Sequence, residues 1–235
     1  MPPKRLSGSE PRPKVQVLSW VAEWKPHLSA KAARCIALGS LIENLYGTIM
    51  VSMLGARAKP AAAMYASMRN ARAQADAVRA VARVTLTQEE LDFLDAVKVI
   101  CDRAKKHRHH FAHWIWARAD SYPEAITLIN PADLLEYEAN QPGMVQSNND
   151  NRGLQSSFDP SGCLIYDEQA LDEALAELIE AEELLAQLRI LYVDFARKIR
   201  AAGDPLELPI LEHPKVKAEV EKLVLRRARN ANGDS

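Results

Sequence analysis

Apolar positions recur along most of this chain at the three- and four-residue spacing of amphipathic helices. Ser29 is a candidate N-cap for a helix running to about Leu54, before Gly55. Leu38, Leu41, Leu45, Ile49 and Met53 form its stripe, with Ile42 and Met50 alongside. Pro60 suits the first turn of a second helix over 60–83, rich in alanine. Thr87 and Glu90 have capping-box spacing and open a third helix over 87–118. Leu91, Leu94, Val97, Cys101, Ala104, Phe111 and Ile115 mark its buried side, and Arg108 continues that stripe. Asp167 caps a fourth helix reaching about Arg200, with Leu171, Leu175, Leu178, Leu185, Leu188 and Tyr192 toward the core. Its acids crowd the first half and Arg189, Arg197, Lys198 and Arg200 the end, which complements the helix dipole. Residues 214–229 predict a short basic helix ending in Arg226, Arg227 and Arg229.

Between the third and fourth helices the period changes. Ala125–Ile129 and Cys163–Tyr166 are short β-prone runs, and Asn130-Pro131 breaks the first. Residues 138–162 are rich in Asn, Gln, Ser and Gly and predict a mobile loop, so the two runs form a hairpin with a long polar tip. Upstream, Trp20 and Trp24 predict a short helix or extended arm that Pro26 ends. The expected fold is all-α: an antiparallel bundle of four or so long helices, with a small β-hairpin and long-loop insertion at about 121–166. Its organisation is a flexible tail 1–14, a single domain 15–203 and a C-terminal extension 204–235.

Gly39, Glu43 and Gly47 lie on one line of the first helix. Two glycines inside a helix cost stability, so they predict close approach by a neighbouring element. Plain packing, with Glu43 at a solvated edge, explains the line without chemistry.

Composition changes little in this picture. The chain has 235 residues and a formal net charge of −1, so any attraction to polyanions must be local. The cysteines Cys35, Cys101 and Cys163 are odd in number and form no paired motif, as expected of reduced, buried thiols. The N-terminus lacks a signal-peptide core, and Leu41–Leu54 is too short and too polar to span a bilayer. These features predict a cytoplasmic protein with no membrane partner.

Candidate chemistry concentrates in residues 107–116, which hold four of the six histidines and two of the four tryptophans. His109 and His113 share a helical face like a zinc-binding pair. No glutamate follows His109 in the metalloprotease arrangement, and no further ligand clearly completes a site, so neither metal nor cofactor is expected. Packing and capping at a helix end, with Arg108 paired to Glu43 or another acid, account for the residues equally well. An arginine beside a histidine can also handle a phosphate, one stabilising negative charge and the other moving a proton near neutral pH. On an ideal helix a five-residue step turns about 140°, so Arg108 and His113 should diverge unless the helix bends or unwinds, or their side chains wrap around it. A site shared by two copies would remove that difficulty.

The segment Arg108-His-His-Phe-Ala-His113, followed by Trp114-Ile-Trp116, resembles the motif of the HEPN superfamily, an arginine followed after four to six residues by a histidine. It departs from the commonest form in carrying His109 and Trp114. Glu43 on an earlier helix and Tyr65, Arg69 and Arg72 on the next are similar in kind to the motif's surroundings, and the likeness spans residues 29–200. The resemblance implies a homodimeric helical bundle and a metal-independent endoribonuclease of toxin or antiviral phage-defence type. It implies His113 as general base or acid, Arg108 as the stabiliser of phosphate charge and His109 as a helper. It further implies Lys105, Lys106, Arg69 and Arg72 on the RNA backbone, Glu43 in support, single-stranded RNA as substrate and a cognate antitoxin or regulatory protein as partner. Other members of the superfamily are non-catalytic nucleotide-binding or protein-interaction modules.

Overall fold

The computed structural model describes residues 3–6, 14–18, 20–54, 58–140, 151–154, 160–192 and 209–231. They are mostly helical, with a small antiparallel sheet. By Cα proximity the chain divides into two compact units, residues 1–37 with 105–177 and residues 38–104 with 178–235.

The first unit is built on six short strands: β1 (Lys4–Arg5), β2 (Val15–Leu18), β3 (Ile115–Ala119), β4 (Ile126–Ile129), β5 (Asn151–Leu154) and β6 (Leu164–Tyr166). Their order is β1-β6-β4-β3-β2-β5, and every neighbouring pair is antiparallel. The two β-prone runs do pair, Ile126 opposite Tyr166 and Leu128 opposite Leu164. All four β4 residues, Thr127 among them, and all three β6 residues are buried. Val15, Ala117, Ala119, Ile129, Cys163 and Ile165 gather in one core cluster.

The sheet is larger than the expected hairpin. Ile115–Ala119 is strand β3 and not the end of a helix: Ile115, Ala117 and Ala119 alternate with Trp116 and Arg118, a period of two. Lys4–Arg5, in the expected tail, pairs with β6, and Asn151–Leu154, in the expected loop, pairs with β2. A further helix, α6 (Pro131–Ala139), follows β4. Asn130 caps it by accepting from the Ala132 amide at 3.1 Å, and Pro131 occupies its first turn, so the dipeptide that breaks the strand also starts a helix. Residues 7–13, 141–150 and 155–159 of the expected tail and loop lie outside the described residues.

Two helices follow β2 in the chain: α1 (Val21–Trp24) and α2 (Pro26–Met53). Pro26 opens α2, three residues before the expected start at Ser29. By length and composition alone α2 is apolar enough to cross a membrane, because it is longer than the stretch ending at Leu54 suggested. Leu28, Ala32, Cys35, Ile42, Tyr46, Ile49, Met50 and Met53 are buried at core-helix spacing, and Lys31 pairs with Asp172 at 2.6 Å. The buried line runs through Ile42 and Tyr46; Leu41 is 44% exposed.

In the second unit, the expected helix 60–83 is two: α3 (Ala58–Ser67) and α4 (Ala71–Thr85). Asn70 caps α4 by accepting from the Arg72 amide at 2.8 Å. Close approach is real at Gly47, where a Cβ would stand 2.6 Å from the Tyr65 ring. The Tyr65 hydroxyl donates to the Glu43 carbonyl at 3.2 Å. Helix α5 (Gln88–His113) opens on the capping box: Thr87 N–H donates to Glu90 Oε2 at 2.8 Å, and Glu90 N–H to Thr87 Oγ1 at 3.4 Å. Helix α7 (Glu168–Ile190) is capped by Asp167, and its six expected core residues are all buried. Residues 193–200 of that expected helix lie outside the described residues. Helices α8 (Pro209–Glu212) and α9 (Pro214–Ala231) come last, the second being the basic helix.

Candidate active site

The last two turns of α5 carry the four histidines of the run. Its buried stripe passes through Ala104, His107 and Phe111. His107, at 8% exposure, takes the inward position that the stripe assigned to Arg108; Arg108 is half-buried. His109 and His113 are exposed.

Arg108 and His113 nevertheless meet within one chain. Arg108 Nη1 stands 3.3 Å from His113 Nε2, against the divergence that helical phase predicts. His113 is the final residue of α5, and the long arginine side chain spans the remaining turn. Trp116 of β3 caps this end, its indole N–H donating to the Phe111 carbonyl at 3.0 Å. A guanidinium only donates, so His113 Nε2 accepts in this contact and its lone pair is the atom held beside the positive charge. The His109 ring lies 4.9 Å from that of His113, centroid to centroid. Arg108 Nε is buried and has no partner among the described residues.

Behind this exposed pair lies a network that sequence reasoning missed. The Tyr166 hydroxyl is 3.1 Å from His107 Nδ1 and 2.9 Å from His110 Nδ1, and His107 Nε2 is 3.1 Å from Glu177 Oε2. Tyr166 is fully buried, with the Phe111 ring 4.5 Å away. Burial, then the charges of His107, His109 and Lys106, push His110 down to about 4. Burial also raises Tyr166, with lesser contributions from Cys35 and Glu177, so its hydroxyl keeps its proton. Tyr166 ends an apolar run, and His107 and His110 stand three apart on a helix. Those were the available signals.

The other expected site residues divide between the units. Lys105 and Lys106 precede Arg108 on α5 in the first unit, half-buried and exposed respectively. Arg69, Arg72 and Glu43 belong to the second: Arg69 is exposed between α3 and α4, Arg72 is exposed in the first turn of α4, and Glu43 is half-buried on α2. Among the described residues no three His, Cys, Asp or Glu side chains are placed to share a metal ion. All three cysteines are buried and none is in a disulfide, and burial pushes the Cys35 thiol up to about 12.

In comparisons with known proteins, no family model, no curated protein and no solved structure matches this chain.

Proposed function

We propose that this chain is a HEPN-like, homodimeric, metal-independent endoribonuclease of toxin or phage-defence type, acting on single-stranded RNA in the cytoplasm. The observation that carries the reading is the 3.3 Å approach of Arg108 Nη1 to His113 Nε2 on an exposed helix end. The reading takes the long helices as the antiparallel bundle of that superfamily. Its chemistry needs a proton acceptor, a proton donor and a cation at phosphate. One imidazole takes the proton of the RNA 2′-hydroxyl as the 2′-oxygen bonds to phosphorus. The bond from phosphorus to the 5′-oxygen breaks, and a second imidazole returns a proton to that oxygen. Arg108 stabilises charge on the phosphate oxygens. The products end in a 2′,3′-cyclic phosphate and a 5′-hydroxyl. One chain presents one Arg108–His113 pair, so two copies supply both imidazoles. His109, beside His113, orients the phosphate. Lys105 and Lys106, with Arg69 and Arg72, hold the backbone and make affinity salt-dependent. Glu43 supports the bundle, and a cognate antitoxin or regulatory protein restrains the activity.

The test is incubation of purified protein with single-stranded RNA and with DNA of the same sequence, in excess chelator. Cleavage of RNA alone, reduced by about a hundredfold or more in His113→Ala and Arg108→Ala, is the expected result. DNA lacks the attacking hydroxyl and stays intact. Intact RNA, or equal cleavage by the variants, overturns the reading.

A further inference from the structure

The second unit holds a cleft of about 330 Å³ between α4, the first turns of α5 and the end of α9. Arg79 and Arg83 enter it from α4, Arg226 and Arg227 from α9, and Asp92 and Asp95 from α5. Both acids are already matched. Arg227 Nη2 lies 2.5 Å from Asp92 Oδ2 and Arg79 Nη2 lies 2.8 Å from Asp95 Oδ2. Asp92 also accepts from Gln88 Nε2 at 3.0 Å. Those two arginines therefore serve the fold, fastening α9 and α4 to α5. Arg83 and Arg226 do not share that role. Both are exposed, and neither has a carboxylate partner among the described residues. Four guanidiniums less two carboxylates leave the cleft two positive charges in excess. Arg79 and Arg83 are also one turn apart on α4, a like-charge pair that costs stability unless an anion relieves it.

We propose that this cleft is a phosphate-binding site, taking the phosphate of a nucleotide or of a polynucleotide backbone. The guanidinium fork matches phosphate oxygens in pairs, which an ammonium does not. The surplus of two charges equals that of a phosphate dianion. The size lies at the small end of ligand pockets, enough for a phosphate and part of its sugar, and Leu91 and Leu223 give the sugar an apolar wall. None of these residues belongs to the Arg108–His113 pair, so the site stands whether or not the chain cleaves RNA. It also gives α9 a purpose beyond packing.

The experiment titrates the full chain with inorganic pyrophosphate and with a 2′-O-methyl RNA oligonucleotide, which cannot be cleaved through its 2′-oxygen. Binding is read by calorimetry at two salt concentrations. The variants are Arg83→Gln/Arg226→Gln and, for comparison, Lys105→Gln/Lys106→Gln. Because Arg83 and Arg226 are exposed and unpaired with acids among the described residues, the first variant should unfold no lower than the wild type, or slightly higher as repulsion with Arg79 is relieved. The wild type binds, more weakly at high salt. The arginine variant loses about tenfold or more, and the lysine variant keeps its pyrophosphate affinity. Arginine-dependent binding of the oligonucleotide assigns the site to a polynucleotide backbone, and of pyrophosphate alone to a free phosphate ligand. Failure of wild type to bind either probe, or unchanged binding by the arginine variant, overturns the proposal.

Discussion

The Tyr166 hydroxyl lies 2.9 Å from Nδ1 of His110, and this contact decides which nitrogen of His110 carries its proton. A carboxylate only accepts, so His107 presents Nε2–H to Glu177. A neutral His107 then offers an Nδ1 lone pair, and Tyr166 donates to it. The tyrosine oxygen is left to accept from His110 Nδ1–H. A proton added to His107 reverses both steps, because its Nδ1 becomes a donor. Nitrogen-15 NMR at pH 8.5, above the ordinary histidine value of about 6.5, should find His110 protonated on Nδ1. Tyr166→Phe should abolish that preference. A His110 proton on Nε2 at this pH, or a preference unmoved by Tyr166→Phe, rejects the assigned order.

The same burial makes stability depend on pH. His110 is held at about 4 in the folded chain against an ordinary 6.5, so as pH falls the unfolded chain takes up this proton first. Its contribution is fully present above pH 6.5 and is lost progressively toward pH 4. Urea midpoints measured at pH 7 and pH 5 should fall further for wild type than for His110→Gln. His107, His109, Lys106 and Tyr166 remain in both proteins, so the difference belongs to His110. Parallel declines would show that His110 is solvated enough to titrate normally.

Gly47 offers a test in which the sign is diagnostic. Glycine to alanine inside a helix ordinarily gains about 1 kcal/mol. Here the new methyl would meet Tyr65 Cε1 at 2.6 Å, with Cδ1 at 2.8 Å. Overpacking of this kind costs about 1–3 kcal/mol. Gly47→Ala should therefore destabilise in chemical denaturation. With Tyr65→Leu as background the loss should shrink or reverse, since the obstructing ring is gone. A gain in the wild-type background would mean that Tyr65 swings aside at little cost.

Much of the fold was legible where one local signal dominated. Thr87 with Glu90, and Asp167 before an apolar stripe, are self-contained caps, and both make the expected bonds. The pairing of 126–128 with 164–166 followed from two short β-prone runs. Signals competed elsewhere. Trp114–Ala119 carries on a helical stripe by composition, but its alternation finds partners in β2 and β4, and tertiary pairing overrides local pattern. Asn130-Pro131 reads as a breaker and is also an N-cap with proline at the first position. At the candidate site the residue types stood out, yet their roles depended on depth. Adjacent positions 107 and 108 differ only in which one the helix turns inward, and that choice puts His107 in a buried network and leaves Arg108 to reach His113. Tyr166 and Glu177 are far from the run in sequence, so no spacing rule could join them to it.

Trp116 tests whether the helix end matters to the pair it carries. The Phe111 carbonyl lies in the last turn of α5, where acceptors lose their helical partners, and the Trp116 indole supplies the donor from β3. Trp116→Phe keeps an aromatic ring on the strand and removes only that N–H. The bond is only part-buried, so its loss should be modest, about 0.5–1.5 kcal/mol by urea unfolding. His113 lies two residues beyond Phe111 and depends on the same turn for its distance to Arg108. If the cap positions the pair, RNA cleavage by the folded variant should fall about tenfold while KM changes little, because a displaced imidazole weakens the transition state more than binding. An unchanged rate accompanied by the stability loss would limit Trp116 to holding the helix end, and an unchanged unfolding midpoint would deny it even that.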